Sequence, residues 1–541
     1  MQLSGETYES VRDAFRWQIP ARVNIAEVIV GRHARATPTA PALIHVGDDG
    51  APRVWTFAEI EEKASRLANA LAALGIGRGM VVGVHLPQSP ECLIAHVAIL
   101  KRGGIVLPLF RLFGPEALRY RLENSGACAF ITLNAEWARV RGDLAPLMAP
   151  DALATVITVG SASRPAHSFW HLVEGGAGEH ATADTSSNDP AVMIYTSGTT
   201  GNPKGALHAH RVLYGHLPGV MLPQERFPQP GDRFWTPADW AWIGGLLDVL
   251  WPSLFHGVAV VSSTRAKFDP EWAFDFMGRH GVRNVFMPPT ALRLMRQVAR
   301  PRARFAYDVR SIASGGETLG ADLIDWGQDA FALTFNEFYG QTECNLVVGN
   351  CASLFVVKPG SMGRAIPGHV VEIVDDQGRV LPPGTPGIVA VKRPDPVMML
   401  EYWRNPAATA AKYRGDWLLL GDIAVKDEQG WFWFQGRDDD IINSSGYRIG
   451  PGEIEDCLGR HPAVRLAGVV GLPDAVRGEV IAAFIVLNEG FSASDALAVE
   501  IQTFVRDRLA AHEYPRIVRF IAEMPLTVTG KIRRKDLRGI G

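Results

Sequence analysis

Apolar residues recur through positions 57–74 at Ile60, Ala64, Leu67, Ala70, Leu71 and Leu74, a spacing of three and four that predicts an amphipathic helix. A short β-branched run follows at 81–86, a second helical stretch at 91–100, and apolar runs at 129–133, 155–159 and 258–262 that read as strands. Apolar strands separated by helices predict an α/β architecture with buried, largely parallel sheets. The texture then changes. Runs at 417–420 and 431–434 flank the polar turn Asp427-Glu428-Gln429-Gly430, which predicts a hairpin. A short polar stretch, Gly436-Arg437-Asp438-Asp439-Asp440, comes next, and the chain beyond it is long enough for a small α/β unit. The expected organisation is a large multi-layered N-terminal domain with mixed or parallel sheets (1–437), a hinge at 438–439, and a small C-terminal domain (440–541).

Composition narrows the classes. A chain of 541 residues is too long for one ordinary core, and roughly two to four domains are expected. Lys and Arg number 54 against 57 Asp and Glu, so no basic excess exists to grip a nucleic-acid backbone. Any polyanion must be met by a locally built site. Five scattered cysteines without metal-ligand spacing favour a reducing compartment. The first twenty residues lack a basic start and an apolar core, so no signal peptide is expected. The most apolar stretch, 243–261, is broken by Gly244, Gly245, Asp248, Pro252 and His256, which argues against a membrane span and for a cytoplasmic protein.

The sharpest chemical signal is Tyr195-Thr196-Ser197-Gly198-Thr199-Thr200-Gly201-Asn202-Pro203-Lys204-Gly205, placed after the apolar run 191–194. Its glycines allow consecutive N–H groups to converge on an anion, its hydroxyls add donors, and Lys204 adds charge. That suits nucleotide phosphates, although Pro203 before the lysine departs from a Walker loop. The string closely resembles the signature of the adenylate-forming superfamily. Further strings follow in that family's order: Ser314-Gly315-Gly316-Glu317, Tyr339-Gly340-Gln341-Thr342-Glu343, Gly421-Asp422, Gly436-Arg437-Asp438-Asp439, Ser445-Gly446-Tyr447-Arg448, and Pro525-Leu526-Thr527-Val528-Thr529-Gly530-Lys531. Any one of them alone is explained as well by a turn or a cap; together, in this order, they are not.

The resemblance implies ATP and CoA as co-substrates and Mg2+ as cofactor. It implies that Thr196, Ser197, Gly198, Thr199, Thr200, Gly201 and Lys204 meet phosphate, and that Gly315, Gly316, Glu317, Tyr339, Gln341, Asp422 and Arg437 meet the nucleoside. Glu343 would hold the metal, with Thr342, Glu343, Arg448 and Lys531 as the catalytic set. Asp439 would be the pivot about which the small domain swings, presenting Gly446 and Tyr447 to CoA. These residue types fit the chemistry. Joining a carboxylate to the α-phosphate with loss of pyrophosphate needs proximity and charge neutralisation rather than a side-chain nucleophile.

The acyl pocket is expected around Trp242, Ile243, Gly244, Gly315 and Gly340, in a region resembling acetyl- and medium-chain acyl-CoA synthetases. Acetate-specific members carry a tryptophan where this chain has Gly340, so an acid larger than propionate (medium-chain, branched or aromatic) is expected, and Gly340→Trp is expected to move preference toward acetate. Cys344 and Asn345 depart from the family pattern and bear on the pocket floor. Trp251 reads as core. The C-terminal motif also resembles a site of protein acetylation, which makes Lys531 a candidate for an acetyltransferase partner. The alternatives are an adenylation enzyme loading a separate carrier protein, an acetyl- or propionyl-CoA synthetase, and a nucleotide-binding regulator without catalysis; the last expects decay at Glu343, Asp422 or Lys531, all of which are present.

Overall fold

A computed structural model describes residues 3–148, 153–160, 166–196, 203–265, 267–437, 440, 442–444, 447–474, 478–508, 514–527 and 530–540. Among these, strands gather into sheets of fourteen, eight and five. The fold is mixed α/β, with a large multi-sheet N-terminal domain and a smaller C-terminal one.

The eight-stranded sheet is parallel through Val81–His85, Ile105–Pro108, Ala129–Leu133, Thr155–Val159 and Pro190–Thr196. These strands are buried on both faces, which is why they read as continuous apolar runs. The helix Phe57–Ala73 covers this layer with Ile60, Ala64, Leu67 and Leu71 inward; Thr56 caps it in a reciprocal box with Glu59, a device that contributes about 1 kcal/mol. Strand Pro190–Thr196 then reverses into Lys204–Ala209 with Thr196 opposite Lys204. Antiparallel pairing thus brings both ends of the glycine-threonine loop side by side.

The fourteen-stranded sheet is mixed, one of the two arrangements expected. Its middle is parallel, including Ser311–Gly315 beside Asn336–Gln341, but from Cys344–Gly349 onward the pairing is antiparallel. The reason is local: Gln341-Thr342-Glu343 turns the chain back at once, with no crossover helix. Trp417–Lys426 and Trp431–Arg437 form the expected hairpin.

The five-stranded sheet is built wholly from residues beyond 440. Along Gly478–Leu487, Ile481, Ala483 and Ile485 face one core and Val480, Ala482, Phe484 and Val486 the other. Helices Pro451–Leu458 and Asp495–Arg506 cover the first face and Arg534–Ile540 the second, with Ile454, Ile501 and Leu537 buried. The stretch 243–261 is interrupted helix followed by strand, with Trp251 fully buried; no helix among the described residues is long and apolar enough to cross a membrane.

Candidate functional site

The site assembles where the two large sheets meet. Glu343 follows the strand Asn336–Gln341 and is buried; its Oε1 accepts a hydrogen bond from the Tyr402 hydroxyl. The Tyr402 ring in turn carries Lys204 Nζ over its face, 5.4 Å from the centroid. His208 Nε2 donates to the Thr342 carbonyl at 2.8 Å. Burial pushes the His208 ring down to about 4, so it is neutral and serves as a fixed donor. The strand after the glycine-threonine loop is thereby fastened to Thr342 and Glu343, and the lysine of that loop stands near the carboxylate expected to hold metal.

The residues expected to meet the nucleoside converge separately. The Tyr339 hydroxyl and Gln341 Nε2 both donate to Asp422 Oδ2, each at 2.6 Å. Asp422 is buried and paired in register with Arg437. Gly316 has a φ of +93°, a conformation that residues with side chains rarely adopt, and is exposed between the buried Gly315 and the half-buried Glu317. The Glu317 carboxylate is tied back, accepting from Thr290 Oγ1 at 2.9 Å and Arg293 Nη1 at 2.9 Å.

Lys531 follows Gly530, whose N–H donates to the Thr527 carbonyl at 2.9 Å, and its own N–H donates to Thr527 Oγ1 at 3.0 Å. The turn abuts the large domain beside Glu317, because a β-carbon placed on Gly530 would lie 3.6 Å from Thr290 Cγ2. Ser197, Gly198, Thr199, Thr200, Gly201, Asp439 and Gly446 lie outside the described residues, as do the side chains of Arg437, Tyr447 and Arg448.

The expected acyl wall differs from the open space that its glycines suggest. A β-carbon at Gly244 would stand 2.7 Å from Phe286 Cε1, and one at Gly315 would stand 2.5 Å from Phe338 Cε2. Those two rings pack at 5.2 Å, so the missing side chains are replaced by aromatic surface. At Gly340 the neighbours are Leu346 N at 2.4 Å and Asn345 Oδ1 at 2.5 Å. The hairpin backbone, with Leu346 at φ +53°, folds over this position. Trp242 packs on Phe110 and Phe113 at 5.2 and 5.9 Å, and Ile243 opens the helical turn that contains Gly244. Sequence reasoning missed Tyr402, Phe286, Phe338 and the buried Asp248; only Asp248, a charge inside an apolar run, left a trace in the sequence.

A family profile described as AMP-binding enzyme matches residues 30–403, and one described as AMP-binding enzyme C-terminal domain matches residues 453–531. The chain belongs to the AMP-binding enzyme family. Within it, the chain is 35% identical over 528 residues to the acetyl-coenzyme A synthetase of Bacillus subtilis, covering 96% of this chain and 90% of that one. It is 36% identical over 512 residues to the mitochondrial acyl-coenzyme A synthetase ACSM5 of Homo sapiens, covering 93% and 86%. The crystal structure of the anthranilate CoA ligase AuaEII in complex with anthranoyl-AMP superposes with a TM-score of 0.87 at 26% identity, covering 96% and 98%. This AMP-binding enzyme is an acid–thiol ligase of the acyl-CoA synthetase group, as the resemblance implied.

Proposed function

We propose that the protein is an ATP-dependent acyl-CoA synthetase that forms an acyl-adenylate and transfers the acyl group to CoA, preferring an acid larger than propionate. The observation that carries the reading is the placement of the Lys531 turn against Thr290, beside the Gly315-Gly316-Glu317 turn, on a domain that also groups Lys204 with Glu343.

In this reading Asp422, oriented by Tyr339 and Gln341, accepts hydrogen bonds from the ribose diol, with Arg437 beside it on the nucleotide side. The loop from Thr196 through Ser197, Gly198, Thr199, Thr200 and Gly201 to Lys204 receives the leaving phosphates. Lys531 meets the carboxylate and α-phosphate oxygens, holding two anions at reacting distance and offsetting the charge that builds between them. Thr342 donates to a phosphate oxygen. Glu343 suits Mg2+, which favours one or two carboxylates completed by substrate phosphates and, when bound, neutralises phosphate charge. Rotation about Asp439 then withdraws Lys531 and brings Gly446, Tyr447 and Arg448 to the CoA thiol, the domain division falling at 437–440. Cytoplasmic residence accords with five free cysteines. Lys531 is exposed, which accords with acetylation by a partner enzyme that would switch off the first step.

The acid preference draws on Gly340, Gly244 and Gly315 bordering a wall of Phe286 and Phe338, with Trp242 and Ile243 at its edge: aromatic surface rewards a longer or ring-bearing tail and gives acetate little to touch. The test is pyrophosphate release across a panel of carboxylic acids, followed by thioester formation with CoA. Turnover with larger acids and CoA supports the reading; highest kcat/KM with acetate removes the preference, and transfer to a carrier protein but not CoA replaces the acceptor.

A further inference from the structure

Asp248 lies in a single π-helical turn, Leu246–Leu250, and only 4% of its surface is exposed. Its Oδ1 accepts from Asn345 Nδ2 at 2.7 Å. Its Oδ2 has no hydrogen-bond partner among the described residues and points toward Gly244, where an added β-carbon would stand 3.6 Å away. Asn345 Oδ1 faces Gly340 at 2.5 Å from an added β-carbon. The Asp248–Asn345 pair therefore spans two of the glycine positions assigned to the acyl wall. Behind it, His216 is wholly buried, and its Nε2, 4.0 Å from Asp248 Oδ1, has no hydrogen-bond partner among the described residues. Because His216 Nδ1 contacts the Val212 carbonyl at 2.8 Å, the proton resides on Nδ1 and Nε2 carries a lone pair.

A pocket for a plain hydrocarbon tail has no use for such a pair, since a buried carboxyl is costly unless its hydrogen bonds are completed. Burial pushes the Asp248 carboxyl well above the usual carboxylate range, the Asn345 hydrogen bond pulling the other way. With Asn345 donating to Oδ1, the protonated form of this carboxyl presents Oδ2 as a hydrogen-bond donor beside Gly244.

We infer that Asp248 is a specificity-determining residue that recognises an oxygen on the tail of the substrate acid, so that the preferred substrates are keto- or hydroxy-substituted carboxylic acids. The hydrogen bond runs from Asp248 Oδ2 to the tail oxygen, Asn345 fixes the carboxyl plane, and the rings of Phe286 and Phe338 flank the carbon chain. This rests on the acyl-CoA synthetase reading and names its substrate class.

The test is pyrophosphate release by the full-length enzyme with matched pairs: hexanoate against the same chain bearing a ketone or a terminal hydroxyl, and phenylpropionate against its para-hydroxy congener. The wild type is expected to favour an oxygenated member over its hydrocarbon partner by about tenfold or more in kcat/KM. Asp248→Leu is expected to abolish or reverse that ratio, and Asp248→Asn, which keeps a donor of the same shape, to retain part of it. A wild-type preference for the hydrocarbon member of every pair overturns the inference, and so does an unchanged ratio in Asp248→Leu or, should that variant not fold, in Asp248→Asn. Absence of pyrophosphate release with every acid overturns the synthetase reading and takes this one with it.

Discussion

Gly530, in the left-handed region at φ +86° and one residue before Lys531, rests against Thr290, whose hydroxyl donates to the Glu317 carboxylate. Two domains with separate cores therefore meet beside the lysine proposed to be catalytic. A side chain at position 530 must either adopt a strained backbone or move the turn off Thr290. Left-handed backbone costs an ordinary residue about 1–2 kcal/mol, so Gly530→Val should slow adenylation about tenfold. Pyrophosphate exchange measures it, with circular dichroism checking that the fold is unaltered.

Asp422 holds the donors of Tyr339 and Gln341 on one oxygen. Replacing it with Ala leaves both donors without their acceptor and removes the proposed ribose contact. Hydrogen bonds to charged groups contribute about 1.5–3 kcal/mol each, so KM for ATP should rise at least tenfold. KM for the acid should change far less, which initial-rate kinetics with each substrate varied separately will show.

Glu337 is buried, its Oε2 lacks a hydrogen-bond partner among the described residues, and its carboxyl is pushed up to about 8, first by burial and then by the nearby Asp456, against a hydrogen bond from the Leu319 backbone. A raised carboxyl pKa means that the folded protein binds this proton more tightly than the unfolded chain. The associated stability is fully present below the ordinary value of 4.5 and is lost as pH rises toward about 8. Glu337→Gln should flatten that decline and stabilise the protein near neutral pH by on the order of 1–3 kcal/mol. Chemical denaturation of both forms across this range tests the sign.

Gly340→Trp was the sequence-based route to an acetate enzyme, and the structure alters its expected outcome. The first atom of any side chain there meets Leu346 N at 2.4 Å, so the hairpin backbone must shift before an indole can enter the pocket. Overpacking of this kind costs about 1–3 kcal/mol. The variant should therefore be destabilised and slower with every acid, rather than redirected to acetate. A thermal melt together with the acid panel separates the two outcomes.

Legibility followed the physics of each element. The helix at Phe57–Ala73 and the buried strands of the eight-stranded sheet were readable because periodicity and burial leave their mark residue by residue. The antiparallel half of the larger sheet was not, since pairing direction depends on the reversal after Gln341 and not on which residues are apolar. Family membership was legible from the ordered motifs that contain Asp422, Glu343 and Lys531. Tyr402 was not, because its link to Glu343 joins positions 59 residues apart that only folding brings together. Phe286 and Phe338 were missed for a related reason: a glycine in sequence reads as space, and only the fold reveals which side chain fills it.

The most direct test separates the two half-reactions in Lys531→Ala. Formation of acyl-adenylate, followed as pyrophosphate release, should fall by about a hundredfold or more, the scale seen when one preorganised charge-stabilising group is removed. Thioester formation from supplied acyl-adenylate and CoA should persist near the wild-type rate. Equal loss of both half-reactions, or adenylation that survives the substitution, would contradict the assignment of Lys531.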